Sequence, residues 1–111
     1  MSNQDYSTKI AEATLRIINE QLQKYSSGMA RNRDLGLELV AVGGKVSIDS
    51  YLPIGAVNAP GATIDDAIQA IRGLEKTSRQ FTEAFSVSYE GDVIRIIKKE
   101  DVEPVEEIIL S

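Results

Sequence analysis

The pair Gly43-Gly44 interrupts the alternating stretch LGLELVAVGGKVSIDSYLP, residues 35–53. Glycine accepts positive φ without strain, so two in succession favour a two-residue turn of type I′ or II′ closing a β-hairpin. With that turn, Val42 faces Lys45, Ala41 faces Val46, Leu39 faces Ile48 and Leu37 faces Ser50. One face then carries Leu37, Leu39, Ala41, Val46 and Ile48, and the other Glu38, Val40, Val42, Lys45, Ser47 and Asp49. Turn chemistry and hydrophobic alternation select the same register, the condition for a well-specified hairpin.

A second hairpin is predicted in FSVSYEGDVIRIIKK, residues 85–99. Phe85, Val87 and Tyr89 alternate with Ser86, Ser88 and Glu90. A turn at Glu90-Gly91 or Gly91-Asp92 brings Ile94 and Ile96 to the side of Val87. Val93, Arg95 and Ile97 point the other way, so this outer side is not cleanly polar.

Each hairpin follows a segment of helical period. The first helix runs from Asp5, a fitting N-cap, to Tyr25 or Met29, with Gly28 or Asn32 as its stop. Tyr6, Ile10, Ala13 and Ile17 form one apolar cluster. Ala11, Leu15, Ile18, Leu22, Tyr25 and Met29 form a second, displaced around the axis. Together they span roughly 200°, about twice the ~100° stripe of a surface helix. Two explanations fit: the helix is sandwiched inside its own domain, or one cluster meets a partner. The second helix starts at Thr63 as N-cap, with Asp65 and Asp66 in the positive first turn, and runs to about Ala84. Its Ile64, Ala67, Ile68, Ile71, Leu74, Ser78 and Phe81 share one face. Between the halves, residues 53–62 read as a loop with Pro60-Gly61 at the centre of a type II turn. A short edge strand around Ile54–Val57 also fits there.

The expected architecture is α+β in the order α-β-β-α-β-β. Two helices pack on one face of a four- or five-stranded, mainly antiparallel sheet. A chain of 111 residues suits one domain, placed at residues 1–99. Residues 100–111 hold Glu100, Asp101, Glu103, Glu106 and Glu107 without a base, then Ile108, Ile109 and Leu110, which are expected to dock. The net charge of −5 therefore belongs to this tail, because the remaining residues balance 12 acids against 12 bases.

Chemistry is constrained by what is absent. With no Cys and no His, thiolate and imidazole nucleophiles, Cys/His zinc sites and disulfides are excluded. Gly43-Gly44-Lys45 is not a phosphate loop: Leu39 and Val46 stand where a Walker motif needs a glycine and a hydroxyl. Glu38 and Asp49 face each other across the first hairpin, which calls for a neutralising neighbour or a cation. Two carboxylates fall short of the ~6–8 oxygens that calcium takes, and relief by Lys45 or a different register explains them more simply. No metal, no cofactor and no catalytic residue is assigned.

In element order and acidic balance the chain resembles the small dimeric chaperones of bacterial secretion systems, a resemblance of plan rather than of motif. The reading from the residues is a non-enzymatic protein-binding module. It is expected to be a homodimer or a binder of another protein, acting through Leu15, Ile18, Leu22 and Tyr25. The alternative is a nucleic-acid-associated regulator using Arg72, Lys76 and Arg79 on the second helix, with the acidic tail as internal competitor. The overall charge argues against it. No apolar run approaches the ~18 residues of a membrane span, and no secretory signal is evident at the start, so a cytoplasmic location is expected.

Overall fold

The computed structural model describes residues 5–52 and 57–100. The expectations for the segment 101–111 and for a strand at residues 54–56 lie outside the described residues.

Helix α1 spans Tyr6–Ser26. Asp5 caps it by accepting the Thr8 N–H at 3.2 Å and the hydroxyls of Ser7 and Thr8. These bonds, that of the Thr8 side chain foremost, hold its carboxyl below the usual range. At the other end Gly28 takes φ +83°. Its N–H donates to the Tyr25 carbonyl at 3.1 Å, and that of Met29 to the Lys24 carbonyl at 2.8 Å. This Schellman closure makes Gly28 the stop.

Strands β1 (Gly36–Val42) and β2 (Lys45–Ser50) form the first hairpin in the predicted register, from Val42–Lys45 to Leu37–Ser50. Gly43 and Gly44 both have positive φ, +63° and +76°, as a type I′ turn requires. Strand β3 (Val57–Pro60) adds to β2 as an edge, starting where the expected edge strand would end. Pro60-Gly61 makes the predicted turn, with Gly61 at φ +87° and the Ala62 N–H donating to the Ala59 carbonyl at 3.2 Å.

The second helix departs from expectation. Instead of running to Ala84 it breaks into α2 (Ile64–Thr77) and α3 (Arg79–Ala84). Thr63 and Asp66 close a reciprocal capping box at the start of α2. Ser78 ends α2 and restarts the chain, its hydroxyl accepting the Phe81 N–H at 3.2 Å. A serine competes for backbone groups in this way, so a cap can replace a helical turn. The redirected chain buries Phe81, whose ring stacks on Phe85 at 6.0 Å between centroids.

The second hairpin joins β4 (Phe85–Glu90) and β5 (Val93–Lys98) through Gly91-Asp92, the second of the two turns the sequence allows; Val87 pairs with Ile96, and Ile94 and Ile96 share its face as expected. Strand β5 lies antiparallel to β1, giving a five-stranded antiparallel sheet in the order β3-β2-β1-β5-β4. All helices lie on one side, α1 over β3 and α2 over β1 and β5. Leu37, Leu39, Val46, Ile48, Ile94 and Ile96 are fully enclosed there against Ile10, Ile17, Ile18 and Ile71. Among the described residues, no helix is long and apolar enough to cross a membrane.

Much of the wide apolar arc of α1 is used within the chain, since α1 packs against both the sheet and α2. Gln21 shows how closely it seats. Its amide nitrogen donates to the Gly36 carbonyl and to Ser50 Oγ, both at 2.7 Å, and its oxygen accepts the Gly36 N–H at 2.9 Å. Gly36 has to be glycine: φ is +145°, and a Cβ would lie 2.5 Å from the Ile96 carbonyl oxygen and 2.8 Å from the Tyr51 ring.

Candidate interaction surfaces

The face of the sheet away from the helices is open. Its centre is the cross-strand row Asp49, Glu38, Arg95 and Ser88. Glu38 and Asp49 do face each other, and the base that reaches Glu38 is Arg95 rather than Lys45. Arg95 of β5 reaches Glu38 with Nε at 2.8 Å and Glu90 with Nη1 at 2.7 Å. The hydrogen bond that Arg95 donates to Glu38 and the charge of Glu90 raise the guanidinium pKa. The sequence could not offer this partner, because it comes from a strand 57 residues away. Among the described residues, no group of three potential metal ligands forms.

Around this row stand apolar side chains left in solvent. Val42 is 61% exposed, Tyr51 46% and Ile97 48%, with Val40 and Val93 half-buried between them. The Tyr51 ring lies over Gly36, and its hydroxyl pKa is raised by burial and by the charge of Glu38. Ile97 and Val93 had a signal in the sequence, as apolar residues on the outward phase of β5. Tyr51 continues the outward phase of Ser47 and Asp49, yet lies one residue past the end of β2.

The residues expected to bind a partner on α1 sit deeper. Ile18 is 1% exposed, while Leu15, Leu22 and Tyr25 are half-buried and pack against the core. The outer side of α1 is polar, with Glu12, Arg16, Asn19, Glu20 and Gln23 exposed.

The basic stripe does not form as one unit. The break at Ser78 puts Arg79 on α3, where it pairs with Glu83 at 3.2 Å. Arg72 lies 5.6 Å from the centroid of the Tyr89 ring, and Lys76 is exposed. Glu75 accepts the Tyr89 hydroxyl at 3.0 Å. Burial first and that bond second push the Tyr89 pKa up to about 12.

A third feature is an open cleft of about 690 Å³ at the C-terminal end of α1. It lies between Tyr25, the 3₁₀ turn Asn32–Asp34 with its preceding Arg31, and the end of β5. Compared with known proteins, the chain matches no family model, no curated protein and no solved structure.

Proposed function

We propose that the protein is a non-enzymatic interaction module of the cytoplasm that pairs with a second copy of itself through the helix-free face of its sheet. The observation that supports this is the exposure of Val42 at one end of the open face and of Tyr51 and Ile97 at the other. Exposed apolar side chains at the two ends of a fixed charged row offer contact area, while the charges between them set the register of the contact.

Charge placement favours a second copy as the occupant. Lys45 and Asp49 stand on the same face of β2, ~13 Å apart at ~3.3 Å per residue. A two-fold axis running across the strands at Ser47 lays each over the other residue of the partner copy. Asp49, which faces only Glu38 across the hairpin, would then gain an ammonium. Five strands ~4.8 Å apart and about six residues long offer roughly 500 Å², below the ~800 Å² per partner of a standard interface. A weak dimer in exchange with monomer is therefore expected.

Light scattering during size exclusion, from micromolar to millimolar loading, tests the reading. Mass should rise from monomer to dimer with concentration, and Val42→Asp with Ile97→Asp should hold the chain monomeric with its circular dichroism unchanged. Leu15→Asp with Leu22→Asp is the comparison: loss of the dimer in that variant alone, with its fold intact, would move the interface to α1. A strict monomer at every loading would overturn self-association.

A further inference from the structure

We infer that the cleft at the end of α1 is a second binding site, one that takes a carboxylate-rich peptide segment of a partner protein. The inference goes beyond self-association and stands whether or not the sheet face dimerises.

Among the described residues, the cleft gathers Arg31, Arg33 and Lys98, three of the 12 basic residues, around one lining carboxylate, Glu100. A local excess of positive charge is conspicuous in a chain of net charge −5. Two elements remote in sequence build it. Lys98 on β5 is only 8% exposed. Its Nζ is positioned by the Asn32 Oδ1 at 2.8 Å, by the Lys99 carbonyl at 3.0 Å and by the Tyr25 ring, 5.2 Å from its centroid. The Asn32 amide also donates to the Lys99 carbonyl at 3.2 Å, clamping the turn to the strand. Arg31 and Arg33 are exposed at the mouth, and among the described residues neither guanidinium takes part in an ion pair.

This arrangement suits a peptide carboxylate. A guanidinium presents paired donors that match the two oxygens of a carboxylate, and two of them flank the cleft. Ile97 supplies an apolar wall for a side chain next to the acid, and it also belongs to the open sheet face. Nucleic acid would need a longer basic track and free aromatic faces for stacking. Here the Tyr25 ring has Lys98 against it, and Arg72 and Arg79 are engaged by Tyr89 and Glu83.

Fluorescence anisotropy on the full chain, with a labelled peptide of four glutamates and a terminal leucine, tests the site. Saturable binding that weakens with salt is expected, and Arg31→Gln with Arg33→Gln should weaken it by ~10-fold or more. Both arginines are exposed, so that variant should keep its fold. Arg16→Gln, an exposed base on the outer side of α1 that lines neither the cleft nor the sheet face, should leave the affinity unchanged, so the loss is read at the cleft and not in overall charge or dimerisation. Equal binding of the all-glutamine peptide, undiminished binding by the arginine variant, or tighter binding of a single-stranded oligonucleotide would each overturn the inference. So would binding seen only when Asp101, Glu103, Glu106 and Glu107 are changed to amides, because the chain's own acidic segment would then be the occupant.

Discussion

The two faces of the sheet are built from alternate residues of the same strands, yet they solve different problems. Toward the helices, Leu39, Val46, Ile48, Ile94 and Ile96 are all fully buried, and their energy comes from area removed from water and close packing. On the open side Glu38, Arg95 and Glu90 form a linked ion pair in solvent among apolar neighbours. Exposed ion pairs contribute little, so this face adds little to stability while fixing the position of its charges. One face holds the fold, and the other is available for contact.

Substitutions should separate the two. Ile48→Ala on the covered face should cost about 2–5 kcal/mol by urea denaturation, through lost transfer energy and a cavity. Val42→Ala on the open face should stay within ~0.5 kcal/mol. Equal effects would mean that the open face is packed against something in the isolated chain. Gln21→Ala comes next, at about 1–3 kcal/mol, because it strands the buried N–H of Gly36, whose carbonyl keeps the Tyr51 N–H. Arg95→Gln should cost about 1 kcal/mol or less, with the remaining loss appearing as Glu38–Asp49 repulsion that added salt relieves.

The smallest effects are pH effects at the margins of the two layers. Tyr89, where β4 meets α2, has its pKa raised from 10.0 to about 12, so the folded state favours the neutral phenol. Its contribution is fully present below pH 10 and is lost as pH rises from 10 toward 12. A delayed tyrosinate absorbance step that Tyr89→Phe abolishes would show it. Asp5 has the opposite sign, its carboxyl held below 3.8 by the Thr8 and Ser7 bonds. The stability it lends to the start of α1 is present above that value and lost as pH falls below it, read as amide exchange at the first turn.

The structure divides what was legible in the sequence by distance along the chain. Gly43-Gly44, Gly91, Asp5, Gly28 and Thr63 mark turns and caps whose chemistry acts within a few residues, and all sit where the local pattern places them. The break at Ser78 was missed because the apolar face from Ile64 to Phe81 continues through it without a change of period. The breadth of the α1 arc was visible, but its two explanations look identical until α2 is laid beside it. Ile18 is inside, and of the apolar arc it is Met29, past the end of α1, that stays exposed, alongside Val42, Tyr51 and Ile97 of the sheet face.

Sequence alone determined the order of helices and hairpins, the register of the first hairpin and which residues alternate on each strand. Those depend on backbone preference and on a side-chain period of two, which neighbouring residues enforce. Tertiary structure alone decided that β5 pairs with β1, that Arg95 answers Glu38, and that Arg31 and Arg33 line one cleft with Lys98. Each of these brings together residues more than fifty positions apart. Nothing local selects among the possible partners until the whole apolar face has found cover.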